Sequence, residues 1–300
     1  LLFIFFFDII YLVVGMIRID NYKVFKDISN EIVINDVLRK NKIDINDVID
    51  CKIIKKSIDA RDKKNVHYIY SFNLLVKDEK KYNLLKTIPD IEEEKIIKKR
   101  NSKYQPIIIG AGPSGLFAAL TFVDNGYKPI IIEQGEKVDE RIKWVEEYRN
   151  TGRINELCNV QFGEGGAGTF SDGKLNTLTS DKEHRIDKVF NTFVECGANE
   201  EIMYDNKPHI GTNVLRKVIV NLRNKIISLG GEFRFNTLLT DILIKDNKIN
   251  KVVLEDSIGL DTNYLVLAIG HSARDTFKLL EELKVKMQPK PFAIGIRVQH

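Results

Sequence analysis

Residues 110–115 read Gly-Ala-Gly-Pro-Ser-Gly, and a carboxylate, Glu133, stands 23 positions after Gly110. A Gly-x-Gly-x-x-Gly turn followed at this distance by an acid can bind a dinucleotide. Gly110 lets the chain leave a strand sharply, Gly112 lets a pyrophosphate approach bare backbone, and Gly115 lets a helix pack closely on the sheet. Pro113 and Ser114 lie within this turn and count among its cofactor-binding residues. The N–H groups around Ser114 would face the phosphates at the positive end of the helix dipole. Glu133 can accept both hydroxyls of an adenosine ribose, and its charge disfavours a 2′-phosphate. A plain glycine turn could share the spacing. Strand, helix and acid agree here, however, and that agreement is the contextual test for the motif.

A second glycine-rich stretch runs from Asn159 to Leu175, with Gly163, Gly165, Gly166, Gly168 and Gly173 inside it and Lys174 directly after. So much glycine cannot make a stable helix or a good strand. It is expected where backbone passes close to a flat or charged ligand, with Lys174 available for an anionic partner. A flexible surface loop is the simpler alternative, but Phe162, Phe170 and Leu175 favour packing. Gly270 begins another strand-to-loop transition, where ligands meet open α/β sheets. His209 and His271 are the histidines within marked motifs and the weak candidates for proton transfer; a hydrogen-bonded structural histidine is the commoner case. There is no metal-ligand cluster, no nucleophile–base spacing and no P-loop, and the catalytic residues stay unassigned.

These residues need a scaffold. The apolar run 106–109, the Ala/Leu/Phe-rich segment 116–125 and the run 129–132 spell strand, helix and parallel strand. Helices are expected over 139–151, 183–196 and 214–229, the last capped by Thr212 or Asn213. Three strand-like runs, 232–235, 239–245 and 251–255, read as an inserted β-meander with Asn247 near a turn. The strand 264–269 and a helix over 277–283 follow. Ahead of them, strands over 17–24, 48–58 and 66–76 with a helix over 31–41 suggest a small α+β domain. Asp59 and Arg61 could pair in its loop. The fold class is therefore α/β: a Rossmann-like domain with a parallel sheet and inserted meander over 105–300, preceded by an α+β domain over 16–104.

The 300 residues carry a net charge of +4. Residues 16–105 hold 21 Lys and Arg against 15 Asp and Glu, so the basic excess lies in the first domain. An excess this mild is usually a solvated surface, which places nucleic acid low among the partners. Cys51, Cys158 and Cys196 are isolated, without a Cys-x-x-Cys. That argues against a dithiol reductase and fits a reducing, cytoplasmic setting. Residues 1–15 are strongly apolar, short for a membrane span and interrupted by Asp8. They read as an extension upstream of Met16 and outside the fold, with a membrane anchor as the lesser reading. The run 90–103 is densely charged, and 291–300 looks like a strand cut off in mid-course.

Taken together, the Gly110–Gly115 turn with Glu133, the block 159–175, Pro208-His209-Ile210-Gly211-Thr212 and the run 268–276 resemble the uncharacterised FAD-dependent dehydrogenase family. That family is similar to the glutathione-reductase-like flavoproteins with two dinucleotide folds. The resemblance runs from about Met16 to the end, and family members are longer. It implies FAD as cofactor and flavin-dependent oxidoreduction of an unassigned substrate; NAD(P)H is one candidate electron donor, and a reduced protein or substrate delivering electrons is equally open. No second Gly-x-Gly-x-x-Gly is present for a separately bound NAD(P)H. Two further readings are an RNA-associated flavoprotein docking through the basic domain, and an NAD-binding or non-catalytic dinucleotide module.

Overall fold

The computed structural model describes residues 15–82, 86–87, 103–171, 173–175, 181, 185–291 and 294–295. The apolar extension up to residue 14, nearly all of the charged run, Asp172 and most of the terminal run lie outside them. Two compact units form: residues 1–95 with 172–211, and 96–171 with 212–300. Chain order alone suggests a single boundary near residue 104. Residues 172–211 cluster with the first unit because the backbone there pairs with it.

In the first unit, β1 (Gly15–Val24), β2 (Val48–Asp59), β3 (His67–Val76) and the short β4 (Lys86–Thr87) form an antiparallel sheet in the order β2-β3-β1-β4. Alternation puts Tyr70, Phe72, Leu74 and Val76 of β3 on one face. They join Ile17 and Ile19 of β1 and Val33, Val37 and Leu38 of the helix α1 (Asn30–Lys40) in a single core. At the outer edge of β2, Lys56 N–H donates to the Tyr204 carbonyl (2.7 Å) and Asn206 N–H to the Lys56 carbonyl (2.9 Å). The helix α4 (Arg185–Glu195) belongs to the same unit. Asp59 and Arg61 do pair, through two side-chain hydrogen bonds of 2.9 and 2.6 Å.

The second unit is built on a parallel sheet, β11 (Leu265–Leu267), β5 (Ile107–Ile109), β6 (Ile130–Ile132) and β7 (Glu232–Arg234), in that order. Both central strands read Ile-Ile-Ile and are wholly buried, as strands covered on both faces must be. Ile107, Ile109, Ile130 and Ile132 face a core shared with Leu239, Ile242, Val252, Leu254 and Leu280. These come from β8 (Leu239–Lys245), β9 (Lys248–Leu254) and the helix α6 (Arg274–Glu282). Ile108 and Ile131 alternate to the other face. The helices α2 (Pro113–Asp124), α3 (Val138–Thr151) and α5 (Thr212–Ser228) complete the unit.

The meander differs from its sequence reading. Glu232–Arg234 joins the parallel sheet beside β6 instead, in register with Ile130–Ile132. The third meander strand is β10 (Gly259–Asp261), a polar three-residue segment without an alternating signal. Asp246 and Asn247 make the β8–β9 turn, both with positive φ. Thr212 begins α5, but its hydroxyl donates to the Ser171 carbonyl (2.5 Å) and does not cap the helix. Among the described residues no helix is long and apolar enough to cross a membrane.

Phe72 is fully buried and stacks on Tyr70 at 5.9 Å between centroids. Phe72→Ala is expected to cost about 3–5 kcal/mol. Ile45→Ser, at a side chain 63% exposed, is expected to stay within about 0.5 kcal/mol. Urea titration followed by far-UV circular dichroism measures both.

Candidate functional site

The Gly-x-Gly-x-x-Gly turn sits where the parallel sheet hands over to α2. Gly110 has φ +101°, and a Cβ there would run into the Ala268 carbonyl at the end of β11. A Cβ on Gly115 would run into the Gly110 carbonyl. Both glycines are therefore required by the approach of helix to strand. Gly112 is different. It caps α2 with an extended backbone, and a Cβ on it would meet only the Gly166 Cα, at an ordinary 3.8 Å. Among the described residues no acceptor takes the N–H of Gly112, Ser114 or Gly115.

These residues open on a cavity of about 740 Å³. Of the sequence candidates, Gly110, Gly112, Pro113, Ser114, Glu133, Gly163, Gly166, Gly270 and His271 line it. Apolar side chains such as Phe162, Leu267, Ile269 and Phe277 form much of the remaining wall, and none of the described lining residues is Lys or Arg. The other candidates lie elsewhere. Gly115 is buried behind the turn, Gly165 packs on Thr169 and Ile219, and Gly168 is exposed. Gly173, Lys174 and His209 belong to the first unit, where Lys174 and His209 form an isolated bridge and Ile210 N–H donates to the Gly173 carbonyl (3.0 Å).

Glu133 ends β6 and is buried. Its Oε1 accepts from the N–H groups of Gly135 (3.0 Å) and Gly163 (3.1 Å), and its Oε2 from Ala111 N–H (2.8 Å). An ionised carboxylate offers about four lone-pair positions. Three are used by the protein, so there is room for one ligand hydroxyl on Oε2, where the motif alone suggests two.

The glycine-rich block is held from behind by two arginines that the sequence reading did not single out. Arg141 of α3 is fully buried. Its Nε donates to the Asn159 carbonyl (2.9 Å), and its Nη1 reaches the carbonyls of Gly163 (3.3 Å), Glu164 (2.7 Å) and Gly166 (2.8 Å). Its stem explains Gly163, where a Cβ would come within 2.5 Å of Arg141 Cδ. Burial pushes the guanidinium pKa down to about 10, against the pull of Cys158, Glu133 and Glu164. Arg141 and Arg216 each lie over the Phe170 ring, at 4.8 and 4.6 Å from its centroid.

Arg223 of α5 pairs with Glu164 at 2.5 Å, and the same Glu164 oxygen accepts from Val138 N–H (2.8 Å). Glu164 is wholly buried, and burial raises its pKa despite the Val138 N–H and Arg223, which lower it. A sequence signal for both arginines does exist. The buried positions of α3 are Val138, Arg141 and Val145, and those of α5 run through Ile219, Leu222, Arg223 and Ile226. A cation on the apolar stripe of a helix must be paired inside the protein. Among the described residues no cysteine lines the cavity. All three are free thiols, and burial pushes Cys51 up to about 11 and raises Cys158, which makes neither a ready nucleophile.

Comparison with known proteins adds the following. A family model described as "Domain of unknown function (DUF8436)" matches residues 16–74, which span β1 to most of β3. An uncharacterized protein of Clostridium beijerinckii is 42% identical over 293 residues, covering 95% of this chain and 54% of that protein. This chain thus spans about half the length of that relative. Among solved structures, THI4 of Thermovibrio ammonificans is similar with a TM-score of 0.40 and 16% identity, over 61% of this chain and 64% of that one. Glycine oxidase of Bacillus cereus gives 0.33 and 16%, over 60% and 58%. L-proline dehydrogenase of P. horikoshii gives 0.35 and 14%, over 62% and 57%.

Removing the counter-ion of Glu164 should expose the cost of its burial. Arg223→Met is expected to destabilise the second unit by about 3–5 kcal/mol at pH 8 and by less at pH 5. The sign follows from Glu164. Its pKa in the folded chain, raised already, rises further without Arg223, so stability is kept while the carboxyl is protonated and lost as pH rises through that value. Glu164→Gln combined with Arg223→Met should remove the pH dependence. Urea titrations followed by the fluorescence of Trp144, on α3, read both variants.

Proposed function

We propose that this chain carries the dinucleotide site of an FAD-dependent oxidoreductase. The observation that supports it best is the set of unpaired N–H groups at Gly112 and Ser114 on a cavity lined without Lys or Arg. Backbone donors at a helix start bind phosphate. The adenosine ribose would take the remaining acceptor position of Glu133, and the pyrophosphate would meet the start of α2. The apolar wall with Phe162, Leu267, Ile269 and Phe277 suits a flat ring. The bare face of Gly112, which no protein atom crowds, fits a ligand passing there.

When bound, the flavin supplies hydride acceptance and donation. The chain's own part is to hold, orient and shield it. His271 lines the same cavity and would be the histidine to exchange a proton with a ligand there. The substrate and the electron donor, NAD(P)H or another reductant, belong to the whole protein.

Protein purified from the complete reading frame is expected to show flavin absorbance near ~450 nm and to release FAD on denaturation. Colourless protein that binds NAD but not added FAD would overturn the flavin reading. Gly112→Asp separates binding from folding. Aspartate is a good N-cap and would take up the free N–H groups of α2, leaving stability unchanged or a few tenths of a kcal/mol higher. The same carboxylate would occupy the phosphate donors, and FAD affinity should fall more than about 100-fold by titration calorimetry.

A further inference from the structure

Arg141 hydrogen-bonds to carbonyl oxygens alone, and the orientation of four peptide planes, after Asn159, Gly163, Glu164 and Gly166, depends on it. The peptide unit is planar, so a carbonyl turned toward Arg141 turns the next residue's N–H the opposite way. After Gly163, the N–H of Glu164 finds the Glu136 carbonyl (3.0 Å). After Glu164, the N–H of Gly165 finds the Ala111 carbonyl (2.9 Å). After Asn159 the N–H of Val160 has no acceptor among the described residues and lies off the cavity, and after Gly166 the pairing stops as well. Among the described residues no acceptor takes the N–H of Ala167, or of Gly168 beyond it.

Ala167 lines the cavity, and its neighbour Gly166 lies against the start of α2. A Cβ on Gly166 would come within 3.3 Å of Gly112 Cα and 3.2 Å of Pro113 Cδ. The unpaired N–H of Ala167 therefore stands beside the unpaired donors of Gly112 and Ser114. Retention of a buried cation here is hard to explain by stability alone, because the guanidinium is desolvated and its Nη2 has no hydrogen-bond partner.

We infer that Arg141 is a positioning residue for the diphosphate of the bound dinucleotide. It fixes the Gly166 carbonyl, and so presents the Ala167 N–H as a further donor beside those at the start of α2. The diphosphate would then be held entirely by backbone N–H groups, with the nearest guanidinium acting through one peptide bond. The inference rests on the dinucleotide reading above and adds a residue outside the motif.

The test uses the full-length protein and three probes: adenosine, ADP and FAD. Adenosine lacks phosphate and reports the ribose and base pocket alone. In Arg141→Gln, affinity for ADP and FAD should fall about 10- to 100-fold, with adenosine within about 2-fold of wild type by competition. Arg141→Lys should recover only part of the loss, because one ammonium cannot span the carbonyls that the planar guanidinium bridges. Equal losses for all three probes would mean that Arg141 supports the fold only, and unchanged ADP affinity would also overturn the inference. Should the Arg141 variants fail to fold, Ala167→Pro deletes the one N–H at the first position of a short helical turn, which proline tolerates. It should reproduce the same split between ADP and adenosine, and intact ADP affinity in it would sink the idea. If the wild-type protein binds neither ADP nor FAD, the dinucleotide reading itself has failed.

Discussion

One buried carboxylate sets the spacing on which the second unit's cavity depends. Glu133 collects N–H groups from the turn (Ala111), from the segment leaving β6 (Gly135) and from the glycine-rich block (Gly163). Charge-assisted hydrogen bonds of this kind are short and directional. Three stretches that form separate walls of the cavity are thereby fixed to one side chain. Loss of any one bond would leave a buried charge short of a donor, which costs more than a neutral bond returns. The sheet brings these stretches close, and the carboxylate decides where they stop.

A second tier of charges performs the same service one layer deeper. Arg141 gathers carbonyls, Glu164 accepts a backbone N–H, and Arg223 neutralises Glu164. Together with Glu133 these are two buried anions and two buried cations, so burial leaves no large net charge uncompensated. Complementary roles explain how an irregular, glycine-rich segment can be ordered without secondary structure. Anions take up N–H groups, cations take up carbonyls, and nearly every backbone group of the block acquires a partner. Of the exceptions, Ala167 lines the cavity, and Val160 and Gly168 do not.

Legibility followed the physics of each signal. Local, periodic features came through clearly. The Ile-Ile-Ile strands, the Gly110–Gly115 turn, the amphipathic α5 and the alternating β3 lie within a residue or three of where pattern places them. Pairing partners did not come through. Glu232–Arg234 has strand-like residues, yet nothing local says that it adds to β6 in parallel rather than to β8. The block 159–175 reads as one stretch, while Gly163 and Gly173 fall in different compact units. Arg141 and Arg223 were hidden because a cation on a helix is normally solvated. Only their position on an apolar stripe distinguished them. Glu133 was legible as a motif residue, but the three N–H groups it serves come from segments up to 30 residues away from it.

The glycines show how motif and structure can be combined. Most are accounted for by the protein itself, since side chains at Gly110, Gly115, Gly163 and Gly165 would strike backbone or neighbouring residues. Such glycines report packing and say nothing about a ligand. Gly112 and Gly168 behave otherwise. Neither has a positive φ, and an added Cβ would meet open space or one ordinary contact. A glycine that the folded chain does not itself require is best explained by something outside the chain. These two flank the unpaired N–H groups of Ser114 and Ala167, on α2 and on the glycine-rich block. Steric room and unused donors are independent properties, and they coincide at the same two places. That coincidence is what the proposed anion site at the start of α2 and the Ala167 turn rests on.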